Sequence, residues 1–371
     1  MRIGVGEVVI SAAARSNVLD ALDNNRLSYG KFTKQFESEF ARIHHRKFAA
    51  FVNSGTSALQ ISIAALKEKY GWKDGAEVLV PAVTFVASFN VVIQNGLVPV
   101  LVDVDPNFYD MDRDAVPPFA HPVAAIPVSL FGQPTAWPGM HGVKTVEDSC
   151  ETMFVHRPTV ADITCYSTYA CHLINTGVGG LALTDDPDLA VLVRSLANHG
   201  RNGIYTGIDD ALGQWETMSA RFTFDRAGYS YRATELEAAI GCAELETYRE
   251  NIAARRANAG VLTAQLQDLP LQLPKERVAG EHAYMMYPIV CLGDDRDALI
   301  QHLESNGIET RPMLPLTSQP YLKKLMGDDV EDRYPVAKWI NQQGFYVGSH
   351  PYLTESDLAY MSDTFHAFFR G

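Results

Sequence analysis

The sequence predicts an α/β protein: a large domain on a mostly parallel sheet over residues 1–245, then a small C-terminal α+β domain over residues 246–371. Three features carry that expectation. Up to about residue 245, short apolar runs recur without the strict alternation of a half-exposed strand. Helix-length segments with helical apolar spacing lie between several of them, the pattern of a sheet covered on both faces. Beyond a long helical stretch the order of elements changes, which marks a second unit.

Taken in order, a strand ends at about Val52 and feeds the helix SALQISIAALKEKYG (57–71). VLVPAV (78–83), PVLVDVD (99–105), VAAIPVSL (123–130), KTVEDS (144–149) and GGLALT (179–184) read as buried strands, and a further strand ends near Tyr166. From Ala233 to about Leu269 the pattern reads as one helical stretch rich in Ala, Glu, Leu and Arg. HAYMMYPIVC (282–291) then reads as a strand, RDALIQHLESNG (296–307) as a helix, IETRPM (308–313) as a strand, and Thr354 to Phe369 as a closing helix.

With 47% hydrophobic and 20% charged residues, the 371-residue chain has the composition of a soluble globular protein. A formal charge of −13 argues against non-specific nucleic-acid binding, which needs a basic face. A phosphorylated ligand remains open, because backbone N–H groups and one local cation suffice to hold a phosphate. The N-terminal MRIGVGEVVISAAARSN lacks the apolar stretch of a signal peptide, and Pro81, Asn90, Gln94 and Pro99 break the apolar region from Val78 to Val104. A cytoplasmic protein without membrane contact is expected. Cys150, Cys165, Cys171, Cys242 and Cys291 show no tight ligand spacing, so free thiols are expected rather than a metal site or a disulfide framework.

Three segments could carry chemistry. VNSGTSALQIS (52–62) is a strand, a Gly-containing turn and a helix start. Its N–H groups can face an anion and Thr56 and Ser57 can cap the helix, although a plain N-cap explains the segment equally. TVEDSCET (145–152) puts Asp148 at the carboxyl end of an apolar strand, where ligands of parallel sheets sit. There it either pairs with a protonated ring nitrogen or caps a helix. ADITCYSTYACHLINTGVGG (161–180) places Ser167 and His172 in an irregular segment before a Gly-rich turn. A lone histidine in such a segment is as well explained by a structural hydrogen bond.

The order and spacing of SGTSAL, TFVASFN, VDVDP, IPVSLFGQP, VEDSCE, YSTYACHLINTGVGG and GYSYRATELEAA resemble the sugar aminotransferase and sugar dehydratase family of fold-type-I pyridoxal-phosphate enzymes, from about Ser28 to the C-terminus. The resemblance implies a seven-stranded, mostly parallel sheet, a homodimer with shared sites, and pyridoxal 5'-phosphate or pyridoxamine 5'-phosphate as cofactor. It also implies that Gly55, Thr56, Ser57 and Ser167 hold the cofactor phosphate, Phe85 stacks on the ring, and Asp148 pairs with the ring nitrogen. Glu151 stands near the phenolic oxygen where many members have Gln. Ser230 replaces an Asn that reaches the phosphate of a neighbouring subunit, and Val178 replaces a Glu in the Gly-rich turn. Arg232 matches a substrate-binding arginine. Tyr29 and Arg311, with Arg26 and His350, fall at pocket positions of the family.

Five residues after Ser167, where the aminotransferases carry the lysine that bonds the cofactor, this chain has His172, and it has no lysine between Lys144 and Lys275. Imidazole makes no stable Schiff base, so the resemblance implies a cofactor held non-covalently and a histidine acting as general base. Lysine-to-histidine exchange at this position resembles the 3-dehydratases of nucleotide-linked 4-keto-6-deoxy sugars. In those enzymes pyridoxamine phosphate condenses with the 4-keto group, the histidine takes a proton from the cofactor methylene, and the C3 hydroxyl leaves. The stretch NGIYTGIDDALG after Arg201 has no cysteine for an iron–sulfur cluster. The resemblance is therefore to the cluster-free branch, the GDP-4-keto-6-deoxymannose 3-dehydratase type, which uses glutamate as amino donor. The alternatives are another pyridoxal- or pyridoxamine-phosphate-dependent sugar-modifying enzyme, a degenerate sugar aminotransferase and, motivated by the departures at Glu151, Val178 and Ser230, a non-catalytic cofactor-binding homologue.

Overall fold

The computed structural model of the chain describes residues 2–155, 159–201 and 222–370. Two helices precede the first strand. In α1 (Ala12–Asp23) the Ser11 hydroxyl accepts from Ala14 N and caps the first turn. α2 (Lys31–Ile43) buries Phe32, Phe36 and Phe40 along one face. The buried Glu235 carboxylate accepts from Gly30 N, Phe32 N and Thr33 N at 2.8, 2.6 and 3.1 Å, satisfying the N–H groups at the start of α2.

The alternation that follows is β1 (Phe48–Val52), α3 (Gly55–Tyr70), β2 (Glu77–Pro81), α4 (Val86–Gln94) and β3 (Val98–Val102). β4 (Pro122–Ala125), β5 (Lys144–Asp148), β6 (Ile163–Ser167) and β7 (Gly180–Thr184) complete the sheet, and α5 (Pro187–Ala197) packs behind it. The seven strands lie in the order β1-β7-β6-β5-β4-β2-β3. Only β7 runs antiparallel to its neighbours, so the sheet is mostly parallel, as expected. Its strands are buried almost throughout, which is why they read as continuous apolar runs. The expected strand 123–130 ends at Ala125, because Pro127 has no N–H to give; the chain rejoins the sheet at the Val128–Asp148 bridge.

The single helical stretch expected from Ala233 to Leu269 is two helices, α6 (Glu235–Glu244) and α7 (Tyr248–Leu266). No Gly or Pro marks the break. The turn instead lets the Tyr248 ring stack on Phe154, centroids 4.4 Å apart, a tertiary contact that overrides local propensity. There follow β8 (Leu271–Gln272), β9 (Met286–Cys291), α8 (Arg296–Ser305), β10 (Arg311–Pro312), α9 (Pro320–Met326), α10 (Pro335–Gln343), β11 (Gly344–Gly348) and α11 (Glu355–Arg370). The four strands form an antiparallel sheet in the order β10-β11-β9-β8.

Residues 282–285 of the expected strand are not in the sheet. Tyr284 takes a left-handed φ of 47°, and Ala283 N instead donates to Gly132 O at 2.7 Å. IETRPM contributes only Arg311 and Pro312 as strand. The start of the chain joins this second layer: Ile3 bridges Ile308 and is buried with Leu262, Leu303 and Phe365. Among the described residues no helix is long and apolar enough to cross a membrane, and no cluster of His, Cys, Asp or Glu could hold a metal ion. All five cysteines are free.

Candidate active site

In a parallel sheet the strands deliver their ends to one edge, where loops diverge and leave a crevice. Here that edge carries Asn53 after β1, Thr84 and Phe85 after β2, Asp148 at the end of β5 and Ser167 at the end of β6. The α3 N-terminus opens there. Its N-cap is Ser54, not Thr56 or Ser57: Ser54 Oγ accepts from Ser57 N at 3.0 Å, and Ser57 Oγ donates to Asn53 Oδ1 at 2.7 Å. Thr56 is exposed at the first turn.

Gly55 has no room for a side chain. A Cβ there would stand 2.6 Å from Cys150 Sγ and 2.8 Å from Ser167 Cβ. The structure thus brings Gly55, Ser57 and Ser167 together at a helix N-terminus, with backbone close enough to cradle an anion.

Asp148 is buried, and Ser88 Oγ donates to its Oδ2 at 2.6 Å while Cys150 N donates to Oδ1 at 3.1 Å. Burial raises its pKa above the usual carboxylate range. No side-chain cation pairs with it among the described residues, so a protonated ring nitrogen would supply the charge its site lacks. Ser88, which Thr84 Oγ1 meets at 2.9 Å, was missed by the sequence reading. Its signal is a polar residue one turn into an otherwise apolar helix start, VASFNVVIQ.

Phe85, at the α4 N-cap, is 58% exposed, an unusual placement for a phenyl ring at the edge of a buried sheet. It lines a pocket of about 580 Å³ together with Arg311, Leu316, Tyr321 and Tyr346. Arg311 is ion-paired with Glu309 and donates to Thr310 O at 2.8 Å.

His172 follows a turn in which its own N donates to Tyr169 O at 2.8 Å. Its Nδ1 stands 2.7 Å from Cys150 O. A carbonyl can only accept, so Nδ1 carries the proton and the lone pair of the neutral ring is on Nε2. Burial pushes its pKa down to about 4, against the backbone groups of Cys150 and Ser167, which favour the charged ring. Cys150 therefore joins Asp148, through its N–H, to His172, through its carbonyl. That link has no signature in sequence.

Glu151 is partly buried, and its Oε2 accepts from Phe131 N at 2.9 Å. Burial, with Asp148 adding repulsion, lifts its pKa to about 7. In its protonated form it can donate to a phenolic oxygen, which removes the repulsion between two anions. Raised above the unfolded value of 4.5, this group contributes stability below that pH, and the contribution is lost as pH rises through 7. Glu151→Gln, which keeps the bond from Phe131, is expected to flatten the fall in melting temperature of the cofactor-free protein between pH 5 and 8. The effect at pH 8 is on the order of 1–3 kcal/mol; an unchanged slope would contradict a neutral Glu151.

The other expected residues are distributed differently. Ser230 and Arg232 are exposed on a segment beside the end of β1, where Asn53 N donates to Tyr231 O at 2.8 Å. Arg232 Nη2 reaches Ser230 Oγ at 3.1 Å and His199 Nε2 at 3.3 Å. Tyr29 is engaged elsewhere: its hydroxyl donates to Glu37 Oε2 at 2.9 Å and accepts from Arg194 Nη1 at 2.7 Å. Arg26 bonds the carbonyls of Ser28 and Tyr29. His350 is buried, its carbonyl held by Asn258 Nδ2 at 2.8 Å. Val178 is exposed. The stretch NGIYTGIDDALG lies outside the described residues.

Residues 9–366 match the DegT/DnrJ/EryC1/StrS aminotransferase family. The chain belongs to this family. It is 31% identical to a GDP-perosamine synthase of Caulobacter vibrioides, covering 96% of this chain and 95% of that one. It is 27% identical to the GDP-4-keto-6-deoxy-D-mannose 3-dehydratase of Escherichia coli O55:H7, covering 93% and 95%. An E. coli GDP-4-keto-6-deoxy-D-mannose-3-dehydratase solved with bound hydrated PLP superposes with a TM-score of 0.86 at 25% identity, over 98% of this chain and 99% of that one. The family members therefore include both an aminotransferase and a dehydratase at similar distance. The crevice fits the cofactor of that neighbour: an anion cradle at Gly55, a buried Asp148 with no counter-charge among the described residues and an exposed ring at Phe85 lie along one sheet edge.

Proposed function

We propose that this chain is a pyridoxamine-phosphate-dependent 3-dehydratase of a nucleotide-linked 4-keto-6-deoxy sugar. His172 is its general base, and glutamate its amino donor. The observation that carries the proposal is His172 itself, an imidazole held neutral in the loop after β6, with its Nδ1 proton committed to Cys150 O. A family aminotransferase needs a lysine there. Lys144 cannot serve, because it stands at the opposite end of β5 from Asp148 and bonds Asp162 Oδ1 at 3.2 Å.

When bound, the cofactor supplies an amine for the sugar ketone and an electron sink. The chain does the rest. The α3 N-terminus, Gly55, Ser57 and Ser167 hold the phosphate; Asp148 keeps the ring nitrogen protonated; Phe85 covers one ring face; protonated Glu151 donates to the phenolic oxygen. His172 Nε2 accepts the proton whose removal drives out the C3 hydroxyl. Arg232 is an exposed cation for the phosphates or carboxylate of the substrates, and Arg311, which lines the pocket, would exchange its pairing with Glu309 to take the same role. We further propose two domains divided near residue 245 and a homodimer in which the exposed Ser230–Arg232 segment faces the neighbouring site, the whole acting in the cytoplasm.

The test is incubation with pyridoxamine phosphate, glutamate and a panel of 4-keto-6-deoxy sugar nucleotides, read by mass spectrometry. Loss of the C3 oxygen is expected; an amino sugar as the accumulating product would instead make the chain an aminotransferase.

A further inference from the structure

The loop that carries His172 is closed at its base by Thr176 N to Thr168 O at 2.9 Å and Ala170 N to Gly177 O at 3.1 Å, and its tip is tied to a neighbouring element. Asn175 N donates to Glu244 Oε2 at 3.2 Å, and Asn251 Nδ2 donates to Leu173 O at 2.8 Å. The acidic partner is the last residue of α6 and the amide lies in the first turn of α7, one on each side of the break that local sequence does not signal. One turn further along α7, Arg255 Nε donates to Asn251 Oδ1 at 2.8 Å, which fixes the orientation of that amide. Arg255 Nη1 in turn donates to Met285 O at 2.8 Å, just before β9.

Arg255 is only 4% exposed, and its bonds run to an amide and to carbonyls. No carboxylate pairs with it among the described residues. A buried guanidinium without a counter-charge is costly, and replacing it by an apolar side chain is often stabilising. Such a charge calls for a role that an apolar residue would not fill.

Within Coulomb reach of that charge lie His172, His350 and Tyr352. The groups around the His172 ring are the carbonyl of Cys150, the backbone of Ser167, the Tyr169 ring with its centroid at 6.0 Å, and the charge of Arg255. Arg255 is the charged group among them, and a positive charge disfavours a second one on the imidazole.

We infer that Asn251 and Arg255 are positioning residues for His172: Asn251 fixes the backbone that follows the imidazole, and Arg255 fixes Asn251. Leu173 O and the Cys150 carbonyl then hold the loop and the ring from two sides, so that Nε2 keeps one direction. The inference rests on His172 being the base of the proposed reaction. Its physical content, the tautomer and titration of one ring, can be read without turnover.

The experiment uses the full chain with pyridoxamine phosphate bound and 15N-labelled histidine, comparing the unaltered protein with Asn251→Ala, Arg255→Met and Arg255→Lys by 1H–15N spectroscopy. The His172→Asn spectrum assigns the signals. In the unaltered protein the ring should be neutral with its proton on Nδ1. Arg255→Met should raise the His172 midpoint by roughly 0.5–1 in pH. Arg255→Lys, which keeps charge but not the fork, should leave the midpoint near its starting value while mixing the tautomers. Asn251→Ala should mix them as well, and lower kcat about tenfold with the sugar KM within about twofold.

Identical His172 tautomer and midpoint in the folded variants would overturn the inference. Should Asn251→Ala fail to fold, the two Arg255 variants carry the same decision. Spectral changes as expected, in a protein that removes no oxygen from any sugar, would leave the positioning role standing and sink the proposed reaction instead.

Discussion

His172→Asn is expected to abolish sugar deoxygenation while pyridoxamine phosphate stays bound. Asparagine keeps an N–H for Cys150 O, the bond that His172 Nδ1 makes at 2.7 Å, so the loop should persist. What disappears is the lone pair on Nε2. Loss of a positioned general base costs roughly 10²–10⁴ in rate, and with no lysine between Lys144 and Lys275 to substitute, the upper part of that range is expected. The phosphate cradle and Asp148 are untouched, so cofactor retention on dialysis should match the unaltered protein. A variant that keeps a tenth or more of its turnover would show that another group takes the proton.

The same position gives a pH expectation. With a pKa near 4, the imidazole is unprotonated across the neutral range. An acid limb of kcat near 6.5, the ordinary histidine value, is therefore not expected in the unaltered enzyme. The stability linked to this ring has the opposite sign to that of Glu151. A folded pKa below the unfolded one makes the neutral ring a stabilising feature above about 6.5, lost progressively as pH falls through 4. His172→Lys complements the first result. A lysine there should capture pyridoxal phosphate covalently, visible after borohydride reduction, and forfeit dehydratase turnover.

Much of this site could be read from the sequence, because its parts are local. The strand–turn–helix at Val52–Ser62 and the acidic end of β5 are each contained in a dozen residues, and parallel strands buried on both faces read as apolar runs. α2 is equally legible in the spacing of Phe32, Phe36 and Phe40. What could not be read depends on contacts between distant segments. The turn between α6 and α7 is set by Tyr248 against Phe154. Ser54 rather than its neighbours caps α3 because Ser57 Oγ is drawn to Asn53 Oδ1. The raised pKa of Glu151 follows from burial, and the coupling of Asp148 to His172 through Cys150 needs the contact of His172 Nδ1 with the Cys150 carbonyl, made across the turn that returns the loop after β6 to the end of β5. Tyr29 shows the converse: a pocket position by resemblance, its hydroxyl is committed to Glu37 and Arg194.

Asp148→Asn is the second large effect expected. The carboxylate is buried among neutral donors, Ser88 Oγ at 2.6 Å, Cys150 N at 3.1 Å and the Cys150 thiol, and burial raises its pKa. In the cofactor-free protein it is a cost: a raised pKa means stability that is lost as pH rises through the folded value. A protonated ring nitrogen reverses that balance, since an opposite charge in a low-dielectric site favours the ionised acid. Binding and ionisation are therefore coupled, and asparagine removes both the cost and the gain. The variant should be at least as stable as the unaltered protein without cofactor at pH 8, bind pyridoxamine phosphate roughly 10²-fold more weakly, and turn over roughly 10³-fold more slowly. Ser88→Ala separates the charge from its support, because it deletes one hydrogen bond to the carboxylate and leaves the charge in place; about tenfold in turnover is expected. Melting curves, equilibrium dialysis and kinetics on the two variants decide the matter. If Asp148→Asn is destabilised without cofactor yet binds it normally, the carboxylate serves the fold through Ser88 and Cys150, and the ring nitrogen is held by some other group.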